Sequence, residues 1–412
     1  MKPAVELVST GAELLSGRTL NTHALTLAEH LAELGLPLVR DTTVPDDLAV
    51  IRDAIRDALA RAPIVVVSGG LGPTSDDVTR DAVAQLVGAD IVMHEPSREA
   101  IRARYARTNR VWSEAVARHA LVVSTAEVLE NRVGLAPGEA IHWNGRHLFL
   151  LPGPPNEFEA ILADHVVPRL RALAGEPPRQ CVFQLTGIGE SDLLRLLPES
   201  DFVEPGLSIG YCARAGRVEL RVVAEPASAP ALDRAAAVIR ARLGEFIFAE
   251  RRVDLALVVV EALAARGRTV AVAESCTGGL LGHRLTSVPG SSRVFRGGVI
   301  AYANDVKERE LGVPPAVLAA HGAVSPGVAA AMAEGVRARL GADYGVGVTG
   351  IAGPDGGSAE KPVGLVYVAV SGARETAVKE FRFGGPRATV KEMSAQSALD
   401  VLRRAVAREE SP

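Results

Sequence analysis

The chain reads as an α/β protein in three segments: an N-terminal three-layer α/β/α domain, a small α+β connecting domain and a C-terminal α/β domain. Short apolar, β-branched runs such as Ile64-Val65-Val66-Val67 and Val270-Ala271-Val272-Ala273 alternate with stretches of helical spacing. That alternation is the pattern of parallel strands connected by helices. The pattern breaks around Leu173-Ala174-Gly175-Glu176-Pro177-Pro178-Arg179, where Pro-Pro amid charges reads as a linker. A length of 412 residues leaves room for two or three cores. The expected boundaries are residues 1–172, 176–250 and 253–412.

Composition narrows the class of function. Hydrophobic residues make up 48% and charged residues 23%, so each segment is expected to bury a core. The formal charge of −4, from 45 basic and 49 acidic residues, offers no broad field for nucleic acid or an anionic membrane. Any anionic ligand must therefore be held by local groups. Cys181, Cys212 and Cys276 form no CxxC pair, which argues against a zinc cluster or a disulfide framework. The first residues carry Glu6 where a signal peptide would be apolar, and no apolar run approaches membrane-spanning length. A cytoplasmic protein is expected.

In the first segment, strands are expected at Ala4 to Ser9, Pro37 to Thr42 and Ile64 to Ser68. Helices are expected at Thr22 to Leu34, Asp46 to Arg61 and Val78 to Val87. Such βα units make a right-handed three-layer domain that binds ligands beyond the carboxyl ends of its strands. Three unusual loops fall there. They are Ser9-Thr10-Gly11-Ala12-Glu13-Leu14, Ser68-Gly69-Gly70-Leu71-Gly72-Pro73-Thr74-Ser75-Asp76-Asp77 and Leu151-Pro152-Gly153-Pro154-Pro155-Asn156-Glu157. Gly69, Gly70 and Gly72 let the backbone close on a phosphate, Thr74 adds a hydroxyl, and Asp76 and Asp77 could hold a divalent ion. The two aspartates would equally stabilise the first turn of the next helix with no other role.

The middle segment should have a strand at Cys181 to Thr186, a hairpin of Leu207 to Ala213 with Arg217 to Ala224, a helix at Ala229 to Leu243 and a strand at Phe246 to Ala249. Gly206-Leu207-Ser208-Ile209-Gly210 matches the GxSxG pattern but is followed by a strand where a nucleophile elbow needs a helix. No catalysis is assigned to this segment.

The last segment carries Val270 to Glu274 into Ser275-Cys276-Thr277-Gly278-Gly279 and then helical spacing. Such a turn leaves several backbone N–H groups free for an oxyanion beside Ser275; alternatively Ser275 and Thr277 only cap the helix. Arg296 to Tyr302 reads as a strand, and Asn304 as the cap of a helix that holds Lys307 in its first turn. A cation there is disfavoured, which would lower the lysine pKa toward a general base; a solvated lysine is the other reading. Gly345-Val346-Gly347-Val348-Thr349-Gly350 satisfies GxGxxG, yet its glycines lie within a strand, so a dinucleotide site is rejected. Gly384-Gly385-Pro386-Arg387 opens the terminal helix with an arginine placed to meet an anion.

The three front loops resemble the molybdopterin-binding (MoCF-type) domain, and more closely its version at the front of the CinA family of competence- and damage-inducible proteins. That resemblance implies a metal-dependent ADP-ribose pyrophosphatase. It would place Gly69, Gly70, Gly72 and Thr74 on the diphosphate, and a divalent ion, magnesium or similar, on Asp76 or Asp77 with Glu13. Glu274 to Gly279, Tyr302 to Lys307, Val348 to Pro354 and Gly384 to Arg387 resemble, in order, the motifs of the CinA C-terminal nicotinamide-nucleotide amidase domain. This implies Ser275 as nucleophile with Lys307 and Tyr302 beside it. Thr277, Gly278, Gly279, Thr349, Gly350 and Arg387 would bind substrate, without a cofactor.

The implied reaction converts nicotinamide mononucleotide to nicotinate mononucleotide and ammonia. Cys276 is the rival nucleophile, because a thiol at a helix N-terminus has a depressed pKa. The expected partners are these small nucleotides and a second copy in a homodimer. The alternative is an accessory protein that binds molybdopterin or a nucleotide and serves a competence or DNA-damage response.

Overall fold

The computed structural model describes residues 2–408; residue 1 and residues 409–412, at the outer ends of the first and last expected segments, lie outside them. The chain divides into two compact units, residues 1–178 and 179–412. The segment expected as a separate connecting domain thus packs with the C-terminal segment.

The first unit holds a six-stranded sheet in the order Leu38–Val44, Val5–Thr10, Ile64–Ser68, Arg146–Leu151, Gly138–Trp143, Glu127–Leu129. The first four strands pair in parallel, and the last two pairings are antiparallel. The continuous apolar run Ile64-Val65-Val66-Val67 is fully buried because alternate side chains feed opposite layers. Ile64 and Val66 join Leu27, Leu31 and Phe158 on one face, while Val65 and Val67 join Ile51, Ile55 and Val83 on the other. This is the expected three-layer arrangement. Asp47 caps the helix Leu48–Arg61 by accepting from the amides of Ala49 and Val50 at 2.9 and 3.0 Å. Asp76 and Asp77, by contrast, lie ahead of the helix Thr79–Val87 and not in its first turn.

The second unit contains a four-stranded antiparallel sheet, in the order Leu207–Arg214, Arg217–Ala224, Arg179–Thr186, Ile247–Ala249, covered by the helix Ala229–Leu243. Ser208 pairs with Val223 in the ladder of this hairpin, so Gly206 to Gly210 is not an elbow. A five-stranded sheet follows, ordered Phe295–Ile300, Val270–Glu274, Tyr344–Gly350, Leu365–Ser371, Thr376–Arg382, with the first three strands parallel. Among the described residues no helix is long and apolar enough to cross a membrane.

The glycines of the rejected dinucleotide motif have a packing role. A Cβ at Gly345 would collide with the carbonyl oxygen of Ala333, and one at Gly347 with that of Ala329, both on the helix Pro326–Leu340. The bare backbone lets that helix lie against the strand. Gly347→Ala is therefore expected to destabilise the unit by about 2 kcal/mol, the scale of overpacking a close-packed interior. Gly210→Ala, with open space around it, serves as the neutral control in urea denaturation.

Candidate functional site

Both candidate sites sit beyond the carboxyl ends of parallel strands, one in each unit. In the second unit the wholly buried strand Val270–Glu274 lies between Phe295–Ile300 and Tyr344–Gly350. It delivers Ser275, 9% exposed, to a turn tied down by a hydrogen bond from the Ser275 amide to the Val348 carbonyl at 2.9 Å. Gly278 and Gly279 then adopt positive φ of 60° and 96°, which a side chain would strain, and the helix Leu280–Thr286 begins.

The amides of that helix are not free. Glu274, 1% exposed, accepts from Gly279 N at 2.9 Å, Leu281 N at 3.1 Å and Gly282 N at 2.8 Å. The expectation that the helix opening holds a substrate oxyanion is corrected accordingly: a buried carboxylate of the protein occupies it. Gly279 is part of that internal cap. The amides of Cys276 and Thr277, one step nearer the serine, reach no backbone carbonyl and are directed at the Cys276 sulfur.

Cys276 also departs from expectation. Burial pushes its thiol up to about 12, outweighing the neighbouring amides and Arg387, so at neutral pH it is protonated. Lys307 is moved the other way. Its side chain is 1% exposed, and Nζ donates to the carbonyls of Ala301 at 2.8 Å and Tyr302 at 3.1 Å. Burial lowers its pKa from the ordinary 10.5, and the nearby Cys276 sulfur only partly opposes this. The solvated-lysine reading is thereby excluded. Lys307 is the fourth residue of the helix Asn304–Leu311, and Asn304 makes no side-chain cap.

The remaining expected residues distribute unevenly. Tyr302, 61% exposed, offers Lys307 its carbonyl, while its phenol accepts from Arg387 Nη2 at 2.9 Å, not from Lys307. Arg387 Nη1 donates to the Gly353 carbonyl at 2.8 Å, so the arginine braces two loops. Thr277 is fully buried and its hydroxyl has no partner among the described residues, while the Thr349 hydroxyl donates to Ala323 O at 2.8 Å. Gly350 serves packing, since a Cβ there would stand 2.6 Å from Val366. The Ser275 hydroxyl makes no hydrogen bond within the described residues, and Lys307 lies near enough to the adjacent Cys276 to feel its charge. Sequence reading missed the Glu274 cap and Lys391, whose Nζ lies 3.7 Å from where a Gly278 side chain would begin. A basic residue four positions after Arg387, on the same helix face, was the available signal.

In the first unit a cavity of about 500 Å³ is lined by Glu13, His23, Gly69, Gly70, Gly72, Asp76 and Asp77. Gly69 and Gly70 have φ of 101° and 67°, and a side chain on them would run into Thr10 and Thr79. Thr74 donates through its amide at 2.9 Å and its hydroxyl at 2.5 Å to Asp77, which closes the loop. The same hydroxyl holds the exposed Asp76 carboxyl below the usual range. His23 was not foreseen: buried and stacked on Phe158, it pairs Nδ1 with the Ser68 hydroxyl at 2.8 Å, and burial lowers its pKa.

Among the described residues no three His, Cys, Asp or Glu side chains gather to form a metal cage. Of the expected Asp76 or Asp77 with Glu13, Asp77 is turned to Thr74 and Glu13 folds over Gly11. Asp76 remains as an ionised, exposed carboxylate in the cavity wall. That suits a divalent ion shared with substrate phosphates, which is how magnesium is usually held.

Residues 6–172 match the family described as "Probable molybdopterin binding domain" and residues 252–406 the CinA C-terminal domain. A CinA-like protein of Gemmatimonas aurantiaca is 44% identical over 416 residues, covering 98% of this chain and 97% of that one. A CinA-like protein of Anaeromyxobacter sp. is 41% identical over 405 residues, covering 98% and 99%. The crystal structure of a competence/damage inducible protein from Agrobacterium tumefaciens superposes at a TM-score of 0.36 with 42% identity, over 37% of this chain and 93% of that one. With identity of this order sustained along its whole length, and both domains matched in sequence order, the chain belongs to the CinA family.

Proposed function

We propose that the second unit is a serine amidase that hydrolyses the carboxamide of nicotinamide mononucleotide to nicotinate mononucleotide and ammonia. The observation that carries this reading is Lys307, a buried amine of lowered pKa held by two carbonyls beside the turn of Ser275. Neutral Lys307 takes the Ser275 proton, and the serine oxygen bonds to the carboxamide carbon. The amides of Cys276 and Thr277, which meet only the weakly accepting Cys276 sulfur, are the donors in the turn for the oxyanion. The C–N bond then breaks, with the proton returned from Lys307 to the departing nitrogen. Water adds to the acyl-serine, giving its proton to Lys307, and the carboxylate leaves as Ser275 is reprotonated. Arg387, joined to Tyr302 and Gly353, holds the two loops at the site entrance. The test is ammonia release from nicotinamide mononucleotide by the full chain.

For the first unit we propose a nucleotide pyrophosphatase acting on ADP-ribose, its diphosphate in the glycine loop. A divalent ion held there by Asp76 and the diphosphate would supply polarisation of the phosphoryl oxygen. Gly69 and Gly70 give room for the phosphates, Thr74 and Asp77 fix the loop, and Asp76 offers the ligand oxygen. Asp76→Asn is expected to lower magnesium-dependent AMP release by about tenfold or more, removing one ligand charge. Ammonia release should stay at the level of the parent chain. In the rival reading this unit only binds molybdopterin or a nucleotide. Turnover of ADP-ribose that is absent with every divalent ion would decide for binding alone.

A further inference from the structure

We propose that Lys391 is the phosphate-recognition residue of the amidase site, so that the site takes phosphorylated carboxamide nucleosides and discriminates against the bare nucleoside. The inference rests on the amidase reading of Ser275 and assigns the substrate's anionic group to a residue with no role so far. Lys391 Nζ stands over the turn that carries Ser275, 3.7 Å from the Cβ position of Gly278. Gly278 has φ of 60° and no side chain, so nothing separates the ammonium from that turn.

The surroundings leave Lys391 free for a ligand. It is half-buried and makes no hydrogen bond or ion pair among the described residues. Glu274, the acid buried in the same turn, is engaged with three amides. Arg387, one helical turn earlier, is committed to the Gly353 carbonyl and the Tyr302 phenol. Lys307 is committed to Ala301 and Tyr302. Of the three cations gathered at the site, Lys391 alone has its donors unassigned.

The residue type agrees with the role. Lysine is scarce in this chain, being confined to Lys2, Lys307, Lys361, Lys379 and Lys391, with arginine at every other basic position. A compact ammonium with three donors on a flexible stem can follow a phosphate as the ring is positioned for attack, which a forked guanidinium does less freely. Charge-assisted bonds to phosphate oxygens are also the strong class of hydrogen bond.

The experiment compares the full chain, Lys391→Met and Lys391→Arg on nicotinamide mononucleotide and nicotinamide riboside, following ammonia. Loss of one charge-assisted contact is expected to raise KM for the mononucleotide about 10- to 100-fold in Lys391→Met, with kcat within about twofold. The riboside should be unaffected, and Lys391→Arg should recover most of the loss. An unchanged KM for the mononucleotide, or an equal loss on both substrates, overturns the assignment. Should the parent chain release no ammonia from either compound, the amidase reading fails by itself. Titration with inorganic phosphate, followed by the lysine side-chain NMR signals, then decides about Lys391. Weaker binding in Lys391→Met supports an anion site there, and equal binding rejects it.

Discussion

Ser275→Ala is expected to lower ammonia release from nicotinamide mononucleotide by about a thousandfold or more, the scale on which loss of a covalent nucleophile is felt. The fold should survive, since the Ser275 hydroxyl makes no hydrogen bond within the described residues and its amide still reaches the Val348 carbonyl. Cys276→Ala is the essential companion. With its thiol pushed up to about 12 by burial, the fraction present as thiolate near neutral pH is negligible, and kcat should change by less than about tenfold. If the alanine at 276 abolishes turnover while the alanine at 275 keeps it, the nucleophile is the sulfur. Full activity in both variants would dismiss the covalent mechanism altogether.

The strand-turn-helix that carries Ser275 was legible because the apolar spacing changes at Glu274, and both glycines that follow require positive φ. Its electrostatics were not. Whether Glu274 points along the strand or back under the helix depends on the sheet above it, and the observed cap uses the amides that seemed free for an anion. Tyr302 and Arg387 are 85 positions apart, so no local pattern could show that the phenol belongs to the arginine. In the first unit, Ile64–Ser68 was readable from its burial on both faces. Residues 88–137, with three-residue strands and the exposed helix Glu95–Arg107, offer little periodicity to read. The antiparallel return Gly138–Trp143 to Arg146–Leu151 did carry a signal, Asn144-Gly145 with φ of 50° and 74°, which marks a two-residue hairpin turn. Its antiparallel strands are what break the simple βα repeat.

Lys307→Met is expected to reduce kcat/KM by about 100- to 10,000-fold, the range supplied by a positioned general base. Lys307→Arg should be no better, because a guanidinium stays protonated and cannot accept the serine proton. The parent chain carries its own signature. Burial lowers the Lys307 pKa below 10.5, so the active free amine grows in as pH rises through that lowered value, and the rate climbs on the alkaline side. That limb should vanish from the residual rate of Lys307→Met. Stability moves in the same direction. Between the lowered folded value and 10.5 the unfolded chain binds the proton that the folded chain has shed, so the contribution of this group to stability increases with pH across that window. Methionine removes the cost of burying an ammonium but strands the carbonyl oxygens of Ala301 and Tyr302, at about 1–3 kcal/mol for a buried acceptor left unpaired. The net effect on urea denaturation should therefore be small near neutral pH and destabilising at high pH, where the amine was already neutral. A rate that stays flat from about pH 6 to 10 in the parent chain, or an active arginine variant, would remove Lys307 from the role of base and leave the serine without one.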